Sequence, residues 1–251
     1  MIENILHALI LFVIGIIAAI LNVNAGGGSS LTVPALIFLG LDGATANGTN
    51  RIAILFQNIS AVNSFKKENY SQFGLSWKLS LLTVPGAIIG ALTAVEISDD
   101  LFKKILAVVM IGIIATIIIP RKKKHVEDNN EDKKLTFPVI LSFLFVGFYG
   151  GIVQVGIGFI LMAVLQKIMK FSLVYVNMHK VFIVLVLTVP ALLVFIISGK
   201  VNWFLGISLA LGNSLGGWWA AKISVKKGEK FIKGILVVSI FIIALKLFGL
   251  F

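Results

Sequence analysis

The stretch Asn22-Val-Asn-Ala-Gly-Gly-Gly-Ser-Ser30 matters for the fold because of its neighbours. Upstream, residues 5–21 are apolar and nearly long enough to cross a bilayer, which takes about 20 residues in a helix. Downstream, residues 31–40 are apolar too, but these ten residues reach only about half a bilayer at about 1.5 Å per residue. A polar, glycine-rich break between two apolar runs survives at membrane depth only where its backbone groups are buried in protein or line a cavity. The stretch is therefore read as a break in a helix and not as a surface loop.

From this break the rest of the chain can be laid out. Full-length apolar runs follow at 44–64, 77–95 and 101–119. Then comes Arg121-Lys-Lys-Lys-His-Val-Glu-Asp-Asn-Asn-Glu-Asp-Lys-Lys134, too polar to enter a membrane and read as a linker. After it the pattern returns. Residues 136–153 are apolar, Gln154-Val-Gly-Ile-Gly158 interrupts them, 159–169 are short, and long runs stand at 173–197, 203–221 and 231–251. The segment from Gly15 to Gly26 aligns with Gly147 to Gly158 without gaps, and Asn47 falls beside Asn177. Thr83-Val-Pro85 has no clean counterpart. The expected architecture is an all-α, polytopic transmembrane bundle of two inverted repeats, each carrying a glycine-interrupted broken or re-entrant helix. The first membrane repeat is 1–120, the charged linker 121–135 and the second repeat 136–251. Paired interruptions of this kind point to a transporter binding site.

Composition agrees with a membrane location. The 251 residues are 58% hydrophobic and 13% charged, with a mean hydropathy of +1.03, against roughly 45–50% and about 25% in soluble domains. This excludes a secreted domain, a cytosolic enzyme and a disordered regulator. Cysteine is absent, which removes disulfides, thiolate metal sites and cysteine nucleophiles. The net charge of +11 is clustered in short loops, as topology signals are, and does not indicate nucleic acid. The first apolar run has neither a basic leader nor a small-residue cleavage site, so it is expected to belong to the mature protein.

Loop charges choose between topologies. If the broken stretch 5–40 crosses once, Lys and Arg divide 11 against 9. If 31–40 turns back, one side carries sixteen, the linker's included, and the other only Lys103, Lys104, Lys200 and Lys246. Positive loops stay cytoplasmic. The second arrangement is preferred; it puts the linker inside, both termini outside and the halves inverted.

Function-bearing candidates cluster at the breaks. A helix starting near Ser29 would point its N–H groups and dipole at the first break, a setting that favours an anion. Asn22, Asn24, Gly26, Gly27, Gly28, Ser29 and Ser30 supply amides and hydroxyls there, and the plain alternative is close helix packing through small residues. Gln154, Gly156 and Gly158 form a less polar second break. Arg51 and Lys180 each lie seven residues into a span. The eleven acidic residues fall nearly all in loops, with only Asp42 near Arg51. Charges at depth cost at least a few kcal/mol and face a cavity or a partner. The missing counter-charge is read as a substrate anion, with snorkelling as the competitor. Asn47, Thr49, Asn50, Gln57 and Asn58 add polar groups to the Arg51 helix. Asn47, Arg51 and Asn58 share a face at spacings of four and seven. Asn177 and His179 add polar groups to the Lys180 helix, His179 being read first as a packing residue. Pro34, Pro85 and Pro190 fit helix kinks. Trp203, Trp218 and Trp219 are read as an interface belt, and Gly212-Asn-Ser-Leu-Gly-Gly217 as a packing stripe.

The residues Asn24-Ala-Gly-Gly-Gly-Ser-Ser-Leu31, Pro34, Leu36 and Ala44-Thr-Ala-Asn-Gly-Thr-Asn50 resemble the first repeat of the TauE/SafE family of sulfite and organosulfonate exporters. The resemblance covers essentially the whole chain. In the second half Gly150-Gly-Ile-Val-Gln-Val-Gly-Ile-Gly158 keeps the glycines, while Asn177-Met-His-Lys180 replaces the usual small-x-Gly-Thr pattern. The resemblance implies export of small sulfur anions such as sulfite, or sulfonates such as sulfoacetate, through the cell membrane. The alternatives are an anion channel, or a carrier of another small anion. No metal, cofactor or catalytic group is expected, since no metal-ligand cluster or nucleophile–base pair stands at depth. The expected partners are the small anion and the lipid bilayer; a homo-oligomer is left open by the sequence.

Overall fold

The computed structural model describes residues 2–118 and 135–247. The linker read at 121–134 and the end of the last apolar run lie outside the described residues. The described chain is helical: α1 (Ile2–Ala25), α2 (Ser29–Phe38), α3 (Gly43–Lys67), α4 (Phe73–Glu96), α5 (Asp99–Ile118), α6 (Phe137–Ile152), α7 (Ile157–Lys167), α8 (Leu173–Ile197) and α9 (Trp203–Leu247). Gly228, at φ 63° and ψ −163°, divides α9 into 203–227 and 229–247. A long helix, a short one and three long ones thus occur in that order in each half. The short helices have 10 and 11 residues.

Polarity runs opposite to that of a soluble protein. Apolar side chains face outward along α1 (Leu9, Val13 and Ile17) and α4 (Leu81, Ile89 and Leu92). The polar side chains are inside: Asn47, Thr49, Asn50, Arg51, Gln57 and Asn58 of α3 are all buried. Among the described residues three helices are long and apolar enough to cross a membrane: Glu3–Ala25, Phe73–Glu96 and Leu173–Ile197. At 25 residues α3 is as long as α8, but its buried polar face keeps it from reading as an apolar span.

Helices α3 and α8 pack against each other, α3 also against α9 and α8 also against α4; the outer pairs are α1 with α9 and α4 with α6. Small residues allow the outer pairs to approach closely. A Cβ on Gly212 or Gly216 would run into the backbone of α1 at Phe12 or Ile16, and one on Gly86 or Gly90 into α6 at Leu144 or Phe148. The stripe at 212–217 therefore packs, as read. Pro34, Pro85 and Pro190 lie inside α2, α4 and α8. Lys78 and Lys222, whose burial would weaken the charge argument, are exposed. Trp203 and Trp219 are about half exposed, and Lys67 lies over the Trp218 ring at 4.8 Å.

Candidate functional site

The first break is a three-glycine turn. Gly26, at φ +92°, closes α1 by donating its N–H to the carbonyls of Asn22 (2.8 Å) and Leu21 (3.1 Å). Ser29 then opens α2, and Asn50 of α3 holds that opening. Its side-chain oxygen accepts from Thr32 Oγ1 at 2.7 Å, and its amide donates to Ser29 Oγ at 3.3 Å. Ser30 Oγ donates back to the Gly27 carbonyl at 2.6 Å. Among the described residues the buried N–H groups of Gly27, Gly28 and Ser29 make no hydrogen bond.

Residues 153–156 form the second break, with Gly156 at φ +78°. Tyr149 Oη donates to the Val155 carbonyl, and Gln154 Nε2 to Thr188 Oγ1 at 2.9 Å. Gln154 Oε1 is buried without a partner. The breaks meet back to back: a Cβ on Gly26 would overlap the backbone of Gly158, and one on Gly158 the backbone of Gly26.

Each buried cation reaches across to the other half. Arg51, fully buried on α3, donates Nη2 to the Gly150 and Gly151 carbonyls at 3.0 and 2.6 Å. Asn47, one turn earlier, donates to Ile152 O at 2.7 Å, so the two side chains together cap the end of α6. The guanidinium also lies over the Phe195 ring at 4.8 Å. Lys180, 2% exposed on α8, donates Nζ to the Val23 carbonyl at 2.6 Å, near the end of α1, and to Asn177 Oδ1 at 3.0 Å. Asn177 in turn donates to Ser224 Oγ at 3.3 Å. Helix C-termini carry partial negative charge and free carbonyls. They supply the partner that no carboxylate supplies, since no Asp or Glu among the described residues is buried. Asp42, the sequence's one candidate, instead caps α3 through Thr45 and lies 3.8 Å from Lys200.

A narrow cavity opens between the breaks. It measures about 10 Å³ for the centre of a water molecule, room for about one water. Asn22, Ser29, Gln57 and Asn58 line it from the first half, and Gln154, Gly158 and Lys180 from the second. Lys180 is the charged side chain in this lining.

Of the residues singled out in the sequence, Asn22, Ser29, Gln154, Gly158 and Lys180 thus meet at the cavity. Gly26, Gly27, Gly28 and Gly156 shape the breaks behind it. Arg51, Asn47 and Asn177 hold helix ends instead of lining it. Asn24 turns its amide back to Ile20 O at 3.0 Å. Thr49 Oγ1 accepts from Asn202 N at 2.9 Å and anchors the approach to α9. His179 packs on Phe171, with Nδ1 2.7 Å from Ser76 Oγ. Gln57 and Asn58 stand in the lining, although the sequence marked Gln57 only as a polar group of the helix and Asn58 only as sharing the Arg51 face. Their signal was the spacing of seven from Asn50 and Arg51, which returns each to the same face two turns on. Gln57 Oε1 also accepts from Asn22 (3.3 Å) and Asn213 (3.5 Å), which ties three helices together at the cavity.

An apolar exterior, a polar interior and helix breaks meeting at a buried cavity define a helical membrane transport protein. The chain belongs to the sulfite exporter TauE/SafE family, which it matches over residues 11–247. It is similar to a probable membrane transporter protein, ORF9, of Sinorhizobium sp, with 29% identity over 94% of this chain and 90% of that one. The probable membrane transporter protein YfcA of Escherichia coli K12 is 27% identical over 95% and 88%. YunE of Bacillus subtilis, also named a probable membrane transporter protein, is 24% identical over 95% and 96%. No solved structure gives a significant match. No group of three His, Cys, Asp or Glu that could hold a metal occurs among the described residues.

Proposed function

We propose that this chain exports small sulfur anions, sulfite or organosulfonates such as sulfoacetate, across the cell membrane. One observation carries the reading. The Lys180 ammonium and the start of α2 at Ser29, whose N–H is unbonded, line one small cavity between the two breaks, with the unbonded N–H groups of Gly27 and Gly28 in the turn behind it. Both are positive, and both are answered by one anion. Asn22 and Ser29 add donors that fit the oxygens of a sulfite or sulfonate.

The two halves act as inverted repeats. Supporting this are the repeated order of helix lengths, the mutual approach of Gly26 and Gly158, and the crossed capping by Arg51 and Lys180. A cavity sized for about one water suits an occluded carrier better than an open channel. Rocking of one half against the other widens it toward either side in turn. Both termini lie outside and the 121–134 linker inside. An inside-negative potential then drives export, at about 2.3 kcal/mol per charge per 100 mV.

The test is flux of labelled sulfite in proteoliposomes under an imposed potential of either sign. Sulfate, sulfoacetate and chloride serve as competitors. Flux that follows the potential and is suppressed by sulfite or sulfoacetate is expected. Equal competition by chloride or sulfate overturns the sulfur assignment, and absence of any flux overturns the carrier reading.

A further inference from the structure

Where helices are broken inside a transporter, the C-terminal end of the first piece is where a coupling sodium or proton is held, because the dipole and free carbonyls there attract a cation. In this chain both such ends are already taken by side chains of the opposite half. Arg51 and Asn47 occupy the end of α6 at Gly150, Gly151 and Ile152. Lys180 occupies the end of α1 at Val23, with Asn177 Oδ1 as a second oxygen. No buried carboxylate among the described residues offers a rival seat for a cation. The two ends differ in their relation to the cavity: Lys180 also lines it, and Arg51 does not.

We propose that the Lys180 ammonium is a tethered counter-ion, standing where a mobile coupling cation would otherwise bind, so that transport needs no sodium. It follows that removing the side chain uncovers an alkali-cation site built on Val23 O and Asn177 Oδ1. The ammonium neutralises the anion in the cavity and stays behind when the anion leaves, so each cycle moves the anion's own charge. This rests on the transporter reading above, whichever anion is carried.

Two experiments test it. In proteoliposomes of the intact chain, a tenfold sodium gradient imposed in either direction, against choline, leaves anion flux unchanged. Sodium-dependent acceleration or accumulation overturns the proposal. In detergent, the heat-induced loss of monodisperse Lys180→Ala is followed in sodium, ethylammonium and choline chloride. Sodium or ethylammonium raises the midpoint of the variant and not that of the original chain. If the variant folds in none of these salts, Lys180→Gln, which keeps a donor for Val23 O without the charge, is measured in the same way. Stabilisation of either variant by sodium or ethylammonium supports the tethered ion; no selective stabilisation of either overturns it. Chloride is common to all three salts and no sulfur anion is present, so the stability arm fails or holds independently of the sulfur assignment.

Discussion

The two helix breaks are alike in plan and unlike in chemistry. Each lies between a long and a short helix, each turns on a left-handed glycine, and each receives a cation from the opposite half. At the end of α6 the cation is an arginine. Its Nη2 bonds two successive carbonyls, its head lies over Phe195 and it does not line the cavity, while Nε and Nη1 are buried without a partner. At the end of α1 it is a lysine, a compact charge on a flexible stem that bonds one carbonyl and also faces the cavity. A rigid fork suits a clamp, and a mobile point charge suits a group that must respond to a ligand. One cation thus holds a helix end away from the cavity, while the other both holds a helix end and lines the cavity.

The largest effect is expected where the breaks touch. Gly158→Val places a side chain in the backbone of Gly26 and should cost more than about 4 kcal/mol, abolishing monodisperse protein in detergent. Gly40→Ala is the control: its φ of +94° is similar to that of Gly26, but nothing lies within 4 Å. It should cost only about 1–2 kcal/mol, from backbone strain alone. A well-folded Gly158→Val would mean that the breaks can separate freely.

Next come the cations. Arg51→Gln strands two carbonyls and should destabilise by about 3 kcal/mol, whereas Lys180→Gln should cost about 1–2 kcal/mol. Flux per folded molecule should fall in the reverse order, at least tenfold for Lys180→Gln and much less for Arg51→Gln. Equal losses of flux would erase the division between clamp and ligand group. A smaller effect is expected for Asn47→Ala, about 1–2 kcal/mol for the freed Ile152 carbonyl. Because Asn47 and Arg51 hold the same helix end, the double variant should lose less than the sum. Additive losses in thermal melts would show that the two caps act separately.

The smallest effect lies at the surface. Burial tends to raise the Asp42 carboxyl, but hydrogen bonds from Thr45 and the charge of Lys200 outweigh it and hold the group below its ordinary value. A depressed carboxyl stabilises above its unfolded value, and the contribution is lost as pH falls through the folded one. Stability should therefore drop slightly below about pH 4, the ordinary carboxylate range. The drop should be absent in Asp42→Asn and weakened by salt, since the pair with Lys200 is partly exposed. A salt-insensitive drop that persists in Asp42→Asn would assign it to another carboxyl.

Much of this was legible in the residue order. The runs at 44–64 and 173–197 became α3 and α8, and the glycine stretch at 22–30 ended one helix and began another at Ser29. Apolar length and glycine clusters are local signals, and a bilayer rewards them directly. The partners of Arg51 were not legible. They are backbone carbonyls about a hundred positions away, and every residue has a carbonyl, so no side-chain pattern marks them. The sequence also placed Arg51 and Lys180 on equal footing, and their spacing alone offered no way to separate them.

What the amino-acid order determined is the class of molecule: which segments are apolar enough to leave water, where they must break, and that two cations lie within spans while nearly every carboxylate falls in a loop. Those properties follow from transfer free energies and helix rise, which act residue by residue. Tertiary structure alone decided which charge faces the cavity and which seals a helix end. That choice depends on the rotation of α3 and α8 about their axes and on the helix ends that packing brings within about 3 Å, the range over which a hydrogen bond acts.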